Sequence, residues 1–213
     1  MGGSINITGM KNILKDYNEY NIFVESGTFI AKTTKKMSRL FNKVKTIEIN
    51  KDIYEVNLQL YNDIKNIDFY LGDSREVLPS IIKEIKNQTG VVFFLDGHYS
   101  SDLNIPKYLR NKYRNSFFTY RWNIPTGTAE DTNVPLLEEL RIISENFNEE
   151  CIIIIDDFRL FEDHRIDKRK HSHGDWSEIT KKKIFNIVQD RSKEERIEDD
   201  KIIIKMNAKV IIV

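Results

Sequence analysis

The stretch Ile22-Phe23-Val24-Glu25-Ser26-Gly27-Thr28-Phe29-Ile30-Ala31-Lys32-Thr33 passes from a short β-branched and aromatic run, through a glycine turn, into residues of helical spacing. A strand that turns straight into a helix is where parallel α/β sheets hold their ligands, so the chemistry of this turn restricts what the chain binds. A phosphate-cradling loop of the form G-x-x-x-x-G-K-[ST] is excluded: the spacing from Gly27 to Lys32-Thr33 is one residue short, and Ala31 stands at the second glycine. A dinucleotide fingerprint G-x-G-x-x-G fails as well, because Phe29 fills the second glycine, where the backbone must approach a pyrophosphate. Glu25 at the strand end would repel a phosphate and suits a cationic amino group or a sulfonium.

Outward from this turn the same alternation repeats. Lys45-Thr46-Ile47-Glu48-Ile49, Ile67-Asp68-Phe69-Tyr70-Leu71, Val91-Val92-Phe93-Phe94-Leu95 and Ile152-Ile153-Ile154-Ile155 read as four further strands. The last two are continuously apolar, as central strands covered on both faces must be. Helical spacing falls over residues 32–41, 53–62, 74–86 and 134–147, with Asp131 or Thr132 placed to cap the last of these. At the C-terminus, residues 201–205 and 209–213 are separated only by Met206-Asn207-Ala208, too short for a parallel crossover, so they are expected to pair as an antiparallel hairpin. The predicted fold is α/β: a Rossmann-like, doubly wound, mostly parallel sheet with a C-terminal antiparallel β-hairpin. In such a sheet ligands lie beyond the carboxyl ends of the strands, and each predicted end carries an acid: Glu25, Glu48, Asp73, Asp96 and Asp156-Asp157.

The chain of 213 residues carries 33 basic and 33 acidic side chains, 40% hydrophobic residues and one cysteine. That balance excludes a disordered or collagen-like chain, an intramolecular disulfide and a surface that is basic throughout. No apolar run reaches the ~20 residues of a membrane span and no signal segment is visible, so no membrane partner and a cytoplasmic location are expected. Met1-Gly2-Gly3-Ser4 reads as an added tail, leaving residues 5–213 as one domain that belongs to a longer polypeptide if the tail is indeed an addition.

Glu25, Gly27 and Thr33 fall in the register [ED]-x-G-x-x-x-G-x-[ST], and in this the sequence resembles the class I S-adenosylmethionine-dependent methyltransferases. Ala31 departs at the second glycine. The resemblance implies that Glu48 takes the ribose hydroxyls and that Asp73, in Gly72-Asp73-Ser74, lies beside the adenine. The implied cofactor-binding set is Glu25, Gly27, Thr28, Thr33, Glu48, Asp73, Ser74 and Asp96. The inserted antiparallel strand of that methyltransferase fold agrees with the expected hairpin.

Asp96-Gly97-His98-Tyr99 ends the fourth predicted strand and Asp156-Asp157-Phe158 the fifth. Neighbouring strands lie ~4.8 Å apart, so acids leaving two adjacent ends can converge on one ion. Without a cation they would repel one another and raise some of their pKa values. This pair of segments resembles the macrocin-type sugar O-methyltransferases. The resemblance implies Asp96, Asp156 and Asp157 as ligands of Mg²⁺ or Mn²⁺, with His98 at the place of the family's general base and Phe158 in place of a tyrosine. Asp96 and His98 are thus the expected catalytic pair, acting on a metal-polarised hydroxyl. The expected activity is methyl transfer from S-adenosylmethionine to a sugar or glycan hydroxyl. Methylation of a catechol or other small diol, and a noncatalytic cofactor-binding domain of a larger protein, remain as alternatives.

Residues 100–128 run on before the next helix and are read as an inserted lid over the acceptor. Tyr108, Tyr113, Phe117, Phe118, Tyr120 and Trp122 alternate there with basic residues, which also fits a homodimer contact. Nucleic acid is not expected as a partner of a chain of zero net charge. His164, His171 and His173 read as part of a solvated basic loop, and Cys151 as core.

Overall fold

A computed structural model describes residues 5–14, 20–98, 134–162 and 175–210. Seven strands form one sheet: β1 (Ile22–Ser26), β2 (Lys43–Glu48), β3 (Ile67–Leu71), β4 (Val91–Leu95), β5 (Cys151–Ile155), β6 (Ser192–Glu198) and β7 (Lys201–Met206), in the order β3-β2-β1-β4-β5-β7-β6. The first five are parallel, whereas β7 runs antiparallel to both β5 and β6. The order reverses between β1 and β4, where Ser26 pairs with Leu95 and Leu95 in turn with Ile155. The ends of β1, β4 and β5 therefore lie side by side at the topological switch point, where such sheets bind ligands.

The apolar runs are continuous because the sheet is covered twice. Val24, Phe93, Ile153, Ile155 and Ile204 pack under α4 (Ser74–Ile85), α5 (Leu136–Asn146) and α7 (Lys181–Val188). Alternate residues Phe23, Phe94, Ile152, Ile154 and Ile203 pack with Met10 and Ile13 of α1 (Ile7–Ile13) and with Met37 of α2 (Lys32–Met37). Each such side chain contributes roughly 1.5–3 kcal/mol. Helix α1 is unforeseen by the apolar pattern. Its seven residues are held by an Asn6 side-chain cap on the Gly9 amide and by the buried Met10 and Ile13. Three more helices start on side-chain caps: Asn50 accepts from Asp52 and Ile53 at the head of α3 (Lys51–Tyr61), Asp73 from Arg75 at the head of α4, and Thr180 from Lys183 at the head of α7.

Two expectations differ from the structure. The hairpin joins β6 to β7, so residues 201–205 supply its second strand and residues 207–210 are not a strand. Ser-Lys-Glu-Glu-Arg-Ile-Glu lacks the apolar alternation of a half-buried strand because β6 is an exposed edge whose charges discourage further pairing. Its two-residue turn uses Asp199 and Asp200, both left-handed at φ 47 and 65. Helix α5 has Pro135 at its N-cap with no side-chain cap bond, while Asp131 and Thr132 lie outside the described residues. The lid at residues 100–128 and the three late histidines also lie outside them. Among the described residues no helix is long and apolar enough to cross a membrane.

Arg191 fastens the hairpin to the rest of the molecule. Its buried guanidinium donates to the carbonyls of Ser144 (3.0 Å), Phe147 (2.6 Å), Glu149 (3.1 Å) and Asn207 (2.7 Å), satisfying the end of α5 and the turn into β5. Arg191→Met is expected to cost about 3 kcal/mol, read as a lower urea midpoint, because it strands several buried acceptors at once. Arg191→Lys recovers little of this, since an ammonium cannot present the planar fork.

Candidate active site

The turn after β1 is built on left-handed residues, Gly27 (φ 86), Phe29 (φ 46) and Ala31 (φ 54). Ala31 thus keeps the backbone conformation a glycine adopts most cheaply, so the departure seen in the sequence leaves the turn's shape intact. Gly27 and Thr28 donate from their amides to the Ile47 carbonyl at 3.1 and 3.0 Å, which pins the turn against β2. The Thr28 and Thr46 hydroxyls are 2.6 Å apart, and Thr33 is buried at the first turn of α2.

Glu25 points down into this turn. Its Oε2 accepts from the hydroxyls of Thr34 at 2.6 Å and Thr46 at 2.8 Å. Burial pushes its pKa up to about 7 against the pull of these two hydroxyls, with neighbouring Glu48 adding to the rise. Glu48 accepts from the Phe29 amide at 2.8 Å and the Asn50 amide at 2.9 Å, one on each oxygen, and burial also carries it up to about 7. Asp73 behaves differently. Burial would raise its pKa, but Arg75, at 2.5 Å through Nη2, more than offsets this and holds the carboxyl below its ordinary range. Beside these acids Ile49 and Leu71 are exposed, giving this edge an apolar face between carboxylates.

The raised carboxyls fix the sign of a pH dependence. Glu25 and Glu48 ionise near 4.5 when unfolded and near 7 when folded, so the folded state binds more protons between these values and loses stability as pH rises through the window. The thermal midpoint of the ligand-free protein is expected to fall from pH 5 to pH 8, and Glu25→Gln to flatten that fall. A midpoint that climbs over this range would contradict the assignment.

At the ends of β4 and β5 the structure brings Asp96, His98, Asp156 and Asp157 together. His98 lies between two carboxylates, Nδ1 being 3.6 Å from Asp96 and Nε2 3.4 Å from Asp157. Its ring meets that of Trp176 edge to face, with 5.5 Å between centroids. Asp157 is left-handed at φ 58, which turns the second acid of the pair back toward β4. Asp156 instead accepts from the Asp157 amide at 2.9 Å and pairs with the Lys201 ammonium at 3.1 Å. Arg159 bridges Asp157, at 2.6 Å, and Asp200.

Lys201, Arg159, Asp200 and Trp176 are absent from the sequence-based site. The register that sets Ile155 opposite Ile202 carries Lys201 to Asp156, so its role depends on a pairing between segments far apart in the chain. Here four carboxylates face two fixed cations, a surplus of negative charge that one divalent ion would cancel. Burial, followed by repulsion from Asp156, Asp157 and Glu25, raises the Asp96 pKa well above its ordinary value. Ligand atoms of Asp96, His98 and Asp157 lie within 4.8 Å of one another, as do those of Asp156, Asp157 and Asp200. Hard carboxylate oxygens with one imidazole suit Mg²⁺ or Mn²⁺. The first group is the better fit, because Lys201 pairs with Asp156 and Arg159 with Asp200, both members of the second alone.

Five parallel strands with an antiparallel hairpin at one edge are the architecture of the class I methyltransferase fold. Solved structures agree. The provisionally assigned methyltransferase yhhF of Escherichia coli is 11% identical with a TM-score of 0.50, over 95% of this chain and 85% of that one. A provisionally assigned caffeoyl-CoA O-methyltransferase of Staphylococcus aureus is 12% identical with a TM-score of 0.53, over 97% and 86%. The PH0226 protein of Pyrococcus horikoshii OT3 is 10% identical with a TM-score of 0.52, over 94% and 87%. No family model and no curated protein matches the sequence.

Proposed function

We propose that this protein is an S-adenosylmethionine-dependent O-methyltransferase that uses a divalent cation to methylate a sugar or glycan hydroxyl. One observation carries the reading: five adjacent strand ends present Asp73, Glu48, Glu25, Asp96 and Asp157 in spatial order, with His98 between the last two. In this reading Glu48 receives the ribose hydroxyls, Asp73 and the apolar Ile49 and Leu71 frame the base, and Gly27 allows close approach over the turn. Glu25 sets a negative charge beneath the cationic end of the cofactor. Asp96 and Asp157 are the carboxylates that would hold the cation, joined by Asp156 only if it leaves Lys201, and the cation would supply Lewis acidity that makes a coordinated alcohol easier to deprotonate. His98 takes the acceptor proton as oxygen bonds to the methyl carbon and the carbon–sulfur bond breaks, leaving the sulfur as a neutral thioether.

Calorimetric titration with S-adenosylhomocysteine tests the cofactor, and the expected result is one site per chain. Turnover with polyhydroxylated acceptors should vanish on chelation and return with Mg²⁺ or Mn²⁺. Turnover that survives chelation would remove the metal and leave His98 as a base acting alone. A small diol is the second reading. It is favoured by the two carboxylates flanking one imidazole, which fit any adjacent pair of hydroxyls, and by the acceptor class named for the Staphylococcus aureus neighbour. Competition between a catechol and a methyl glycoside separates the two.

A further inference from the structure

On the α5 side of the sheet, behind the turns that carry Asp73 and Asp96, lies a carboxyl that the reading above does not use. Glu139 is 1% exposed and shares its helical stripe with Leu136, Leu140 and Ile143. A glutamate three residues after one buried leucine and one before the next is a signal visible in the sequence, because that spacing belongs to the core face. Burial pushes its pKa up to about 7, with the hydroxyls of Ser74 and Ser26 drawing it back. Among the described residues, Glu139 Oε1 and Ser26 Oγ are both buried with no partner in hydrogen-bond geometry. Both lie against Gly97, where an added Cβ would stand 3.2 Å from Ser26 Oγ and 3.4 Å from Glu139 Oε1. Two orphaned polar atoms at one buried point are costly, and such groups in a core call for an explanation.

The position of these atoms supplies the reason. Ser26 immediately precedes Gly27, Ser74 immediately follows Asp73, and Gly97 immediately follows Asp96. One side chain from α5 thus reaches the turns after β1, β3 and β4, the three that frame the cofactor pocket. We propose that Glu139 is a positioning residue for cofactor binding, its carboxyl completing hydrogen bonds to Ser26 and Ser74 as the cofactor draws these turns together. This rests on the S-adenosylmethionine reading.

Glu139→Leu is expected to weaken S-adenosylhomocysteine binding at least about tenfold by calorimetry, and to raise KM for S-adenosylmethionine similarly while leaving KM for the acceptor unchanged. Glu139→Gln, which keeps the shape and both hydrogen-bonding capacities, should stay within about threefold of the wild type. Equal affinity of Glu139→Leu and wild type would overturn the assignment, as would a Gln variant that loses as much as the Leu variant. Should Glu139→Leu fail to fold, Ser26→Ala and Ser74→Ala carry the test: each should weaken binding severalfold, and wild-type affinity in both would overturn the proposal. A wild-type protein that does not bind S-adenosylhomocysteine overturns the cofactor reading itself, an outcome distinct from wild-type binding with insensitive variants.

Discussion

Gly27→Ala is expected to abolish S-adenosylhomocysteine binding and to lower stability by about 2–5 kcal/mol, the sum of a backbone penalty and an overpacking penalty. The backbone penalty comes from φ 86, a conformation that places any Cβ against its own chain. The second is steric. An added Cβ would stand 2.8 Å from the carbonyl carbon of Asp96 and 3.1 Å from the Gly97 Cα, with the Asp96 carbonyl oxygen nearer still. All three atoms are backbone, so no rotamer change relieves the clash. The turns after β1 and β4 must separate, and Asp96 and His98 move with them. The same mutation therefore disturbs both halves of the site through one contact. Ala31→Gly is its mirror experiment: relaxing φ 54 at Ala31 should raise the urea midpoint by the equivalent of about 1 kcal/mol and preserve binding. Retained affinity in Gly27→Ala would show that the cofactor does not lie over this turn.

The strand-end acids were legible in the sequence because each follows a local signal, an apolar run bounded by a turn, and needs no long-range information. The cations that answer them were not. Lys201 reaches Asp156 only through the β5–β7 register, and Arg159 reaches Asp200 only because the β6–β7 turn docks beside α6 (Arg159–Glu162). The missed β6 has the same origin. Its residues are mostly charged and carry no apolar alternation, and the partner that makes them a strand is β7, whose own pairing to β5 was unforeseen. These omissions matter chemically. Read alone, three clustered acids demand a cation, whereas in the fold Lys201 and Arg159 answer part of that demand and turn Asp156 and Asp157 to different partners. For Asp96, burial and the neighbouring Asp156, Asp157 and Glu25 outweigh the pull of Lys201, and its pKa stays well above the ordinary value.

Asp96→Asn is accordingly expected to lower turnover at least about 10²-fold while making the ligand-free protein more stable. The loss follows from the place of Asp96 beside His98 Nδ1 and among the carboxylates that would hold the cation. The gain follows from removing a carboxylate that burial and then Asp156, Asp157 and Glu25 disfavour in its charged form. An acid whose folded pKa lies above its unfolded value contributes a penalty that is absent at low pH and grows as pH rises past the unfolded value of about 4. The thermal midpoint of the variant should therefore match that of the wild type near pH 4 and exceed it increasingly toward pH 8. Saturating Mg²⁺ or Mn²⁺ should reverse the order at pH 8, because a bound ion stabilises the folded protein by mass action and only the wild type keeps the full set of carboxylates. Wild-type turnover in the variant would remove Asp96 from the reaction. A midpoint advantage that persists unchanged in the presence of either ion would remove it from the metal site while leaving it a role beside His98.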